Sequence, residues 1–144
     1  MIEKILHKKK LLALIVRGKY RSKKGITFFT PNDSTQQFGY MKHKKKHVIK
    51  PHLHKKRTTK ILYTTEVILL LKGILRVDFY TSFKKYLFSK ILKKHDLIIL
   101  NDGSHGFKVL KKCKLIEVKQ GPFFKSLDKT RFDKVNEKKI KIKK

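Results

Sequence analysis

"TEVILLLKGILRVDFYT", residues 65–81, is the stretch on which the fold class turns. In its second half Arg76, Asp78 and Tyr80 alternate with Val77, Phe79 and Thr81, so an extended chain would put them on opposite faces. Its first half is a short apolar run that opens on Glu66 and ends at Gly73. Neither half carries the 3.6-residue spacing of an amphipathic helix. The stretch reads as two strands, with Gly73 suited to a tight turn between them.

The same pattern recurs outward in both directions. "LLALIVRG", "GITFFT", "QFGYM" and "HVIKPHLH" precede it; "KYLFSKIL", "DLIIL", "GFKVL" and "KLIEVKQG" follow, separated by turn formers or charge pairs. "TSFKKYLFSKILKK" also admits a helix, but its aromatic and β-branched content places that reading second. "MIEKILHKKK" has a short amphipathic look without the pattern of a cleavable signal. Many short strands indicate an all-β sandwich or small barrel. One domain is expected over residues 1–132, followed by a lysine-rich, flexible tail over 133–144 with too little apolar area to pack.

The 144 residues include 39 Lys and Arg against 10 Asp and Glu, a formal net charge of +29. A charge of that size points first to a polyanion such as nucleic acid, acidic lipid or acidic polysaccharide. The cations are scattered in twos and threes, however, and only Arg17, Arg21, Arg57, Arg76 and Arg131 are arginines. Direct base readout leans on Arg, and neither a helix-turn-helix nor an aromatic–basic RNA motif is present. Specific nucleic-acid recognition is therefore not expected, while non-specific polyanion binding stays open. Abundant Lys, Ile and Phe beside a single Ala and no Trp read as compositional bias ahead of selected polyanion binding. Cys113 is the one cysteine, which excludes an intrachain disulfide framework and a thiolate zinc cluster. The apolar runs "LLALIV" and "VILLL" fall far short of the ~20 residues of a membrane span. A cytoplasmic protein is expected.

The chemistry-bearing residues begin at "KPHLH". On a strand, His52 and His54 point to one face about 7 Å apart and can converge on one ion. Glu66 can reach the same ion if its strand is a neighbour, and His105 in "NDGSHGF" offers a fourth ligand. Polar residues alternating with Leu or Val face either solvent or a pocket. Arg76, Glu117 and Lys119 are substrate-binding candidates on that ground, together with Arg57 beside the histidines. The bland alternative is that all of these are solvated.

H-x-H, a later Glu, six residues and Gly resembles the first motif of the cupin superfamily, here His52, His54, Glu66 and Gly73. "HDLIILNDGSH" is similar to the second motif, with His95 at the position of its first Gly and Asn101 at that of its Pro. "FFTPNDSTQQFGYM", "TTEVILLLKGILRVDFY" and "IEVKQGPF" extend the likeness to small bacterial cupins associated with sugar or surface-polysaccharide biosynthesis. The resemblance implies a double-stranded β-helix (jelly-roll) barrel. It also implies a single divalent transition metal (Fe, Mn, Ni, Co, Cu or Zn) on His52, His54, Glu66 and His105.

On that basis the expected function is a metal-binding cupin that binds or acts on a small anionic, sugar-derived ligand. A metal-free relative would use His52 or His105 as a general base, as sugar-nucleotide isomerases and epimerases of similar fold do. A non-catalytic polyanion-binding module and a degenerate cupin remain open, as do enzymatic activity itself and a homodimer.

Overall fold

No turn forms at Gly73. In the computed structural model, which describes residues 1–22, 25–124 and 128–144, Glu66–Tyr80 is one continuous strand. Gly73 bends it instead. Its φ is +97°, and a Cβ there would press on the carbonyl oxygens of Lys111 and Lys112. Register shifts against the facing strand surround this point, so the glycine marks a bulge and not a chain reversal.

The chain divides into two compact units, Met1–Tyr20 with Tyr63–Lys144, and Arg21–Leu62. The first unit contains β1 (Ile2–His7), β2 (Lys10–Val16), β5 (Glu66–Tyr80), β6 (Tyr86–Lys93), β7 (Leu97–Leu100) and β8 (Ser104–Lys119). The second contains β3 (Gly25–Phe28) and β4 (Gly39–Lys42), an antiparallel pair. "HVIKPHLH" forms no strand. Its residues are exposed, so no buried face rewards pairing, and Pro51 offers no N–H to a ladder.

In the first unit β5 organises everything. Its first half pairs with β7, its second half with β6, and β8 runs antiparallel along its whole other side. Beyond β7 come β2 and then β1, giving a strongly curled antiparallel sheet. The all-β class is as expected; among the described residues the one helical element is a 3-10 turn, Glu137–Lys139, and none is long and apolar enough to cross a membrane. The core gathers Ile68, Leu70, Leu75, Val77 and Phe79 of β5 with Ala13, Ile15, Leu92 and Ile98. Val77 and Phe79 are thus buried as their alternation indicates. β1 and β2 turn through Lys8 and Lys9, both at positive φ (47° and 66°), the conformation of a two-residue hairpin loop that favours Asn-Gly. β8 has no second strand along its outer side among the described residues, and Val109, Leu110, Ile116 and Val118 are exposed on it.

The lysine-rich C-terminal segment, expected to fray, lies along β6. Ser89 N–H donates to the Lys141 carbonyl (2.8 Å), Lys143 N–H donates to that of Ser89 (3.0 Å), and Ile142 pairs with Ser89 in parallel. Further up, the Val135 N–H donates to Tyr80 Oη at 3.2 Å. Polar anchorage, not apolar area, holds the segment. Its strongest anchor is Arg76, whose guanidinium donates to both carboxylate oxygens of Asp78 (2.8 and 3.0 Å) and both of Glu137 (2.8 and 3.2 Å). Lys108 adds a 2.9 Å ion pair to Glu137, and Ser89 Oγ–H donates to Asp78.

Arg76, then Lys108, holds the Glu137 carboxyl at about 2, below the ordinary 4.5. A carboxyl depressed in the folded state stabilises folding above its ordinary value and loses that contribution as pH falls through the folded one. The C-terminal segment is therefore expected to release between pH 4.5 and about 2. The near-ultraviolet circular dichroism of Tyr80 and Tyr86, which both hydrogen-bond the segment, would report it. Glu137→Gln should abolish that step; a step of unchanged size would show that another group governs docking.

Candidate functional site

An open cavity of about 750 Å³ lies at the end of the first unit's sheet where β8 begins. Its walls include Glu66, His105, Arg76, Asp78 and Tyr80. Glu66, Asp78, Asp102, Asp128 and Glu137 all line it, half of the ten acidic residues in the chain. Six Lys and Arg line it as well, so the acids here are balanced by cations. Lys10, Lys108, Lys129, Arg131 and Lys134 face the same space, so the wall is polar and mixed in sign.

The central pair is Glu66 and His105. Register places both on core-facing positions: Glu66 alternates with Ile68, and His105 opposes Phe79. The His105 Nε2 and Glu66 Oε2 atoms are 2.9 Å apart. The hydrogen bond from His105 holds the Glu66 carboxyl below its ordinary range, against the opposing effect of burial. Lys129 Nζ, 3.7 Å from Glu66 Oε1, pulls the same way. An ionised carboxylate only accepts, so Nε2 carries the proton, and a neutral imidazole keeps its lone pair on Nδ1. That is the arrangement of a carboxylate-oriented base.

The other expected ligands lie elsewhere in the chain. His52 and His54 belong to the second unit and are exposed, their rings edge to face with centroids 5.2 Å apart. The His52 Nδ1–H donates to the Lys50 carbonyl at 3.0 Å. Among the described residues of either unit, no three His, Cys, Asp or Glu side chains gather as a metal would require. Glu66 and His105 are two donors, fewer than the three or four protein ligands of a transition-metal centre. Within the first unit Glu66 and His105 stand as a pair of donors.

The substrate-binding candidates fare differently from one another. Arg57 is exposed on the second unit. Arg76 lines the cavity, but it is buried and its guanidinium is occupied by Asp78 and Glu137. Glu117 is exposed on β8. Lys119 pairs with Asp128 at 2.6 Å and lies over the Phe123 ring. Sequence reasoning missed Asp78, Asp128 and Glu137 in the wall. Asp78 stood in plain view in the alternating strand beside Arg76. Asp128 and Glu137 lay in stretches without periodicity, and only the folded chain brings them here. His43 and His47 stack face to face in the second unit at 4.2 Å.

No family model, curated protein or solved structure matches the chain. The likeness to cupins therefore rests on the quoted residues of the sequence, and the reading of the cavity rests on its own geometry.

Proposed function

We propose that the chain is a cupin-like protein that binds a small anionic, sugar-derived ligand in this cavity, with His105 as its acid–base group. A double-stranded β-helix is the finer form of the fold that goes with this reading. The observation that carries it is the Glu66–His105 pair at the wall of a cavity lined by six Lys and Arg against five acids. Glu66 fixes the imidazole and stabilises the imidazolium that forms when Nδ1 takes a proton. Arg131 and Lys134 in the same wall suit a phosphate or carboxylate on the ligand. The chemistry such a group performs on a sugar is proton transfer at carbon beside a carbonyl, the step shared by epimerases and isomerases.

The test is incubation with a panel of sugar phosphates and nucleoside diphosphate sugars in D2O. Saturation-transfer NMR reads binding, and the disappearance of sugar C–H signals reads exchange. Wild type should bind at least one member and exchange a C–H beside its carbonyl. His105→Ala should slow exchange by roughly 10²–10⁴-fold while leaving affinity within a few fold. Absence of binding across the panel would overturn the proposal. Elemental mass spectrometry of the same preparation addresses the metal-dependent version: near-stoichiometric metal lost in both His52→Ala and His105→Ala would make His105 a ligand and not a base.

A further inference from the structure

The second unit carries a feature that the cavity does not use. Between Lys42 and Lys60 there are eight Lys, Arg57 and four His, and no acidic residue. Beyond the end of β4 the segment has no helix or strand, and all of its Lys and Arg side chains are exposed. The first unit contrasts with it. There Glu3 pairs with Arg17 and Lys90, Glu137 with Arg76 and Lys108, Asp128 with Lys119, and Asp96 with Arg17. Acids in the first unit neutralise cations within the fold, whereas Asp33 is the only acid in residues 21–62.

We infer that residues 42–60 are a docking segment for the phosphate backbone of double-stranded nucleic acid, bound without regard to base sequence. Duplex DNA presents one negative charge per 1.7 Å of axis, and an acid-free run of cations is complementary in sign along its whole length. Eight of the nine permanent cations are Lys, which neutralises phosphates as a point charge, while base readout favours Arg. No Phe, Tyr or Trp lies between Lys42 and Lys60, which removes the large stacking platforms that single-strand binders use. A lipid surface fits poorly, because the segment has neither an amphipathic helix nor Trp or Phe to insert. Lys and Arg at these positions would contact phosphates and release their counterions.

The experiment is fluorescence anisotropy of a labelled 30-base-pair duplex of arbitrary sequence against the full chain, from 50 to 300 mM salt. One variant replaces Lys44, Lys45, Lys46, Lys55, Lys56 and Arg57 by Gln. The control replaces six exposed lysines of the first unit by Gln: Lys8, Lys85, Lys94, Lys111, Lys112 and Lys114. Both remove the same charge. Wild type should bind with a steep salt dependence, each phosphate contact adding about 0.9 to the slope of log K against log salt. The segment variant should lose about 30-fold in affinity at 100 mM salt, with a slope lower by about 3 or more. The control should lose less than a third as much, with its slope nearly kept. Photocrosslinking of wild type to the duplex, mapped by mass spectrometry, should label residues 42–60 whether or not the variant folds. Equal losses in both variants would overturn the inference, leaving net charge as the whole effect. So would crosslinks confined to the first unit, or heparin bound tightly where the duplex is not.

Discussion

Gly73→Ala is expected to destabilise the first unit by about 4 kcal/mol, a sum of left-handed backbone strain and overpacking. Gly73 sits at φ +97° in the middle of β5, and an added Cβ would meet two carbonyl oxygens and the Cα of Cys113. These are backbone atoms of the paired strand, so relief requires parting β5 from β8 and not the turning of a side chain. A loss of that size approaches the whole stability of a typical domain. Gly106→Ala is the control: its added Cβ finds only the Tyr80 ring at 3.8 Å, an ordinary contact. Urea unfolding of the two variants should give a much lower midpoint for the first and a nearly unchanged one for the second. A wild-type midpoint for Gly73→Ala would mean that the bulge is not where the register places it.

Arg76→Leu should be nearly as damaging, at about 3–5 kcal/mol. Its guanidinium satisfies Asp78, which is as buried as Arg76 itself, and anchors Glu137 at the same time. Removing the cation leaves a buried carboxylate whose strongest remaining partner is the Ser89 hydroxyl. Because the penalty comes from the stranded charge, Arg76→Leu with Asp78→Leu should be less destabilised than the sum of the two single variants. The coupling read from the cycle should reach roughly 2 kcal/mol. Additive losses would indicate that the two side chains act independently and that the ion pair is incidental to stability.

Strand content was legible from alternation, and Val77 and Phe79 lie in the apolar core as that pattern requires. The burial of Arg76, Asp78 and Tyr80 on the opposite face was not legible. Where strands end was harder to read. Gly73 looks the same in a sequence whether it closes a turn or relieves a bulge, and only the partner strand decides. The first hairpin was hidden for a related reason: Lys8 and Lys9 hold a geometry that usually advertises itself with Asn-Gly. The docked C-terminal segment was unreadable from composition, since a lysine-rich end gives no sign that one glutamate will find a buried arginine 61 residues away. At the site, Glu66 and His105 were both named from the sequence and the fold brings them into contact, while His52 and His54 fall in the second unit. Spacing along a chain constrains residues on one strand; it says little about which strands become neighbours.

The outer side of β8 has one more consequence. The outer side of this sixteen-residue strand, without a strand partner among the described residues and bearing exposed Val, Leu and Ile, forms a template on which another chain could add a strand. Lys111, Lys112 and Lys114 sit in the middle of that template. Two copies laid antiparallel about this point would bring the lysines of one against the lysines of the other, and like charges directly opposed disfavour the pairing. The positive charge of this edge thus serves as colloidal protection, and whatever neutralises it exposes the molecule to its own stickiness.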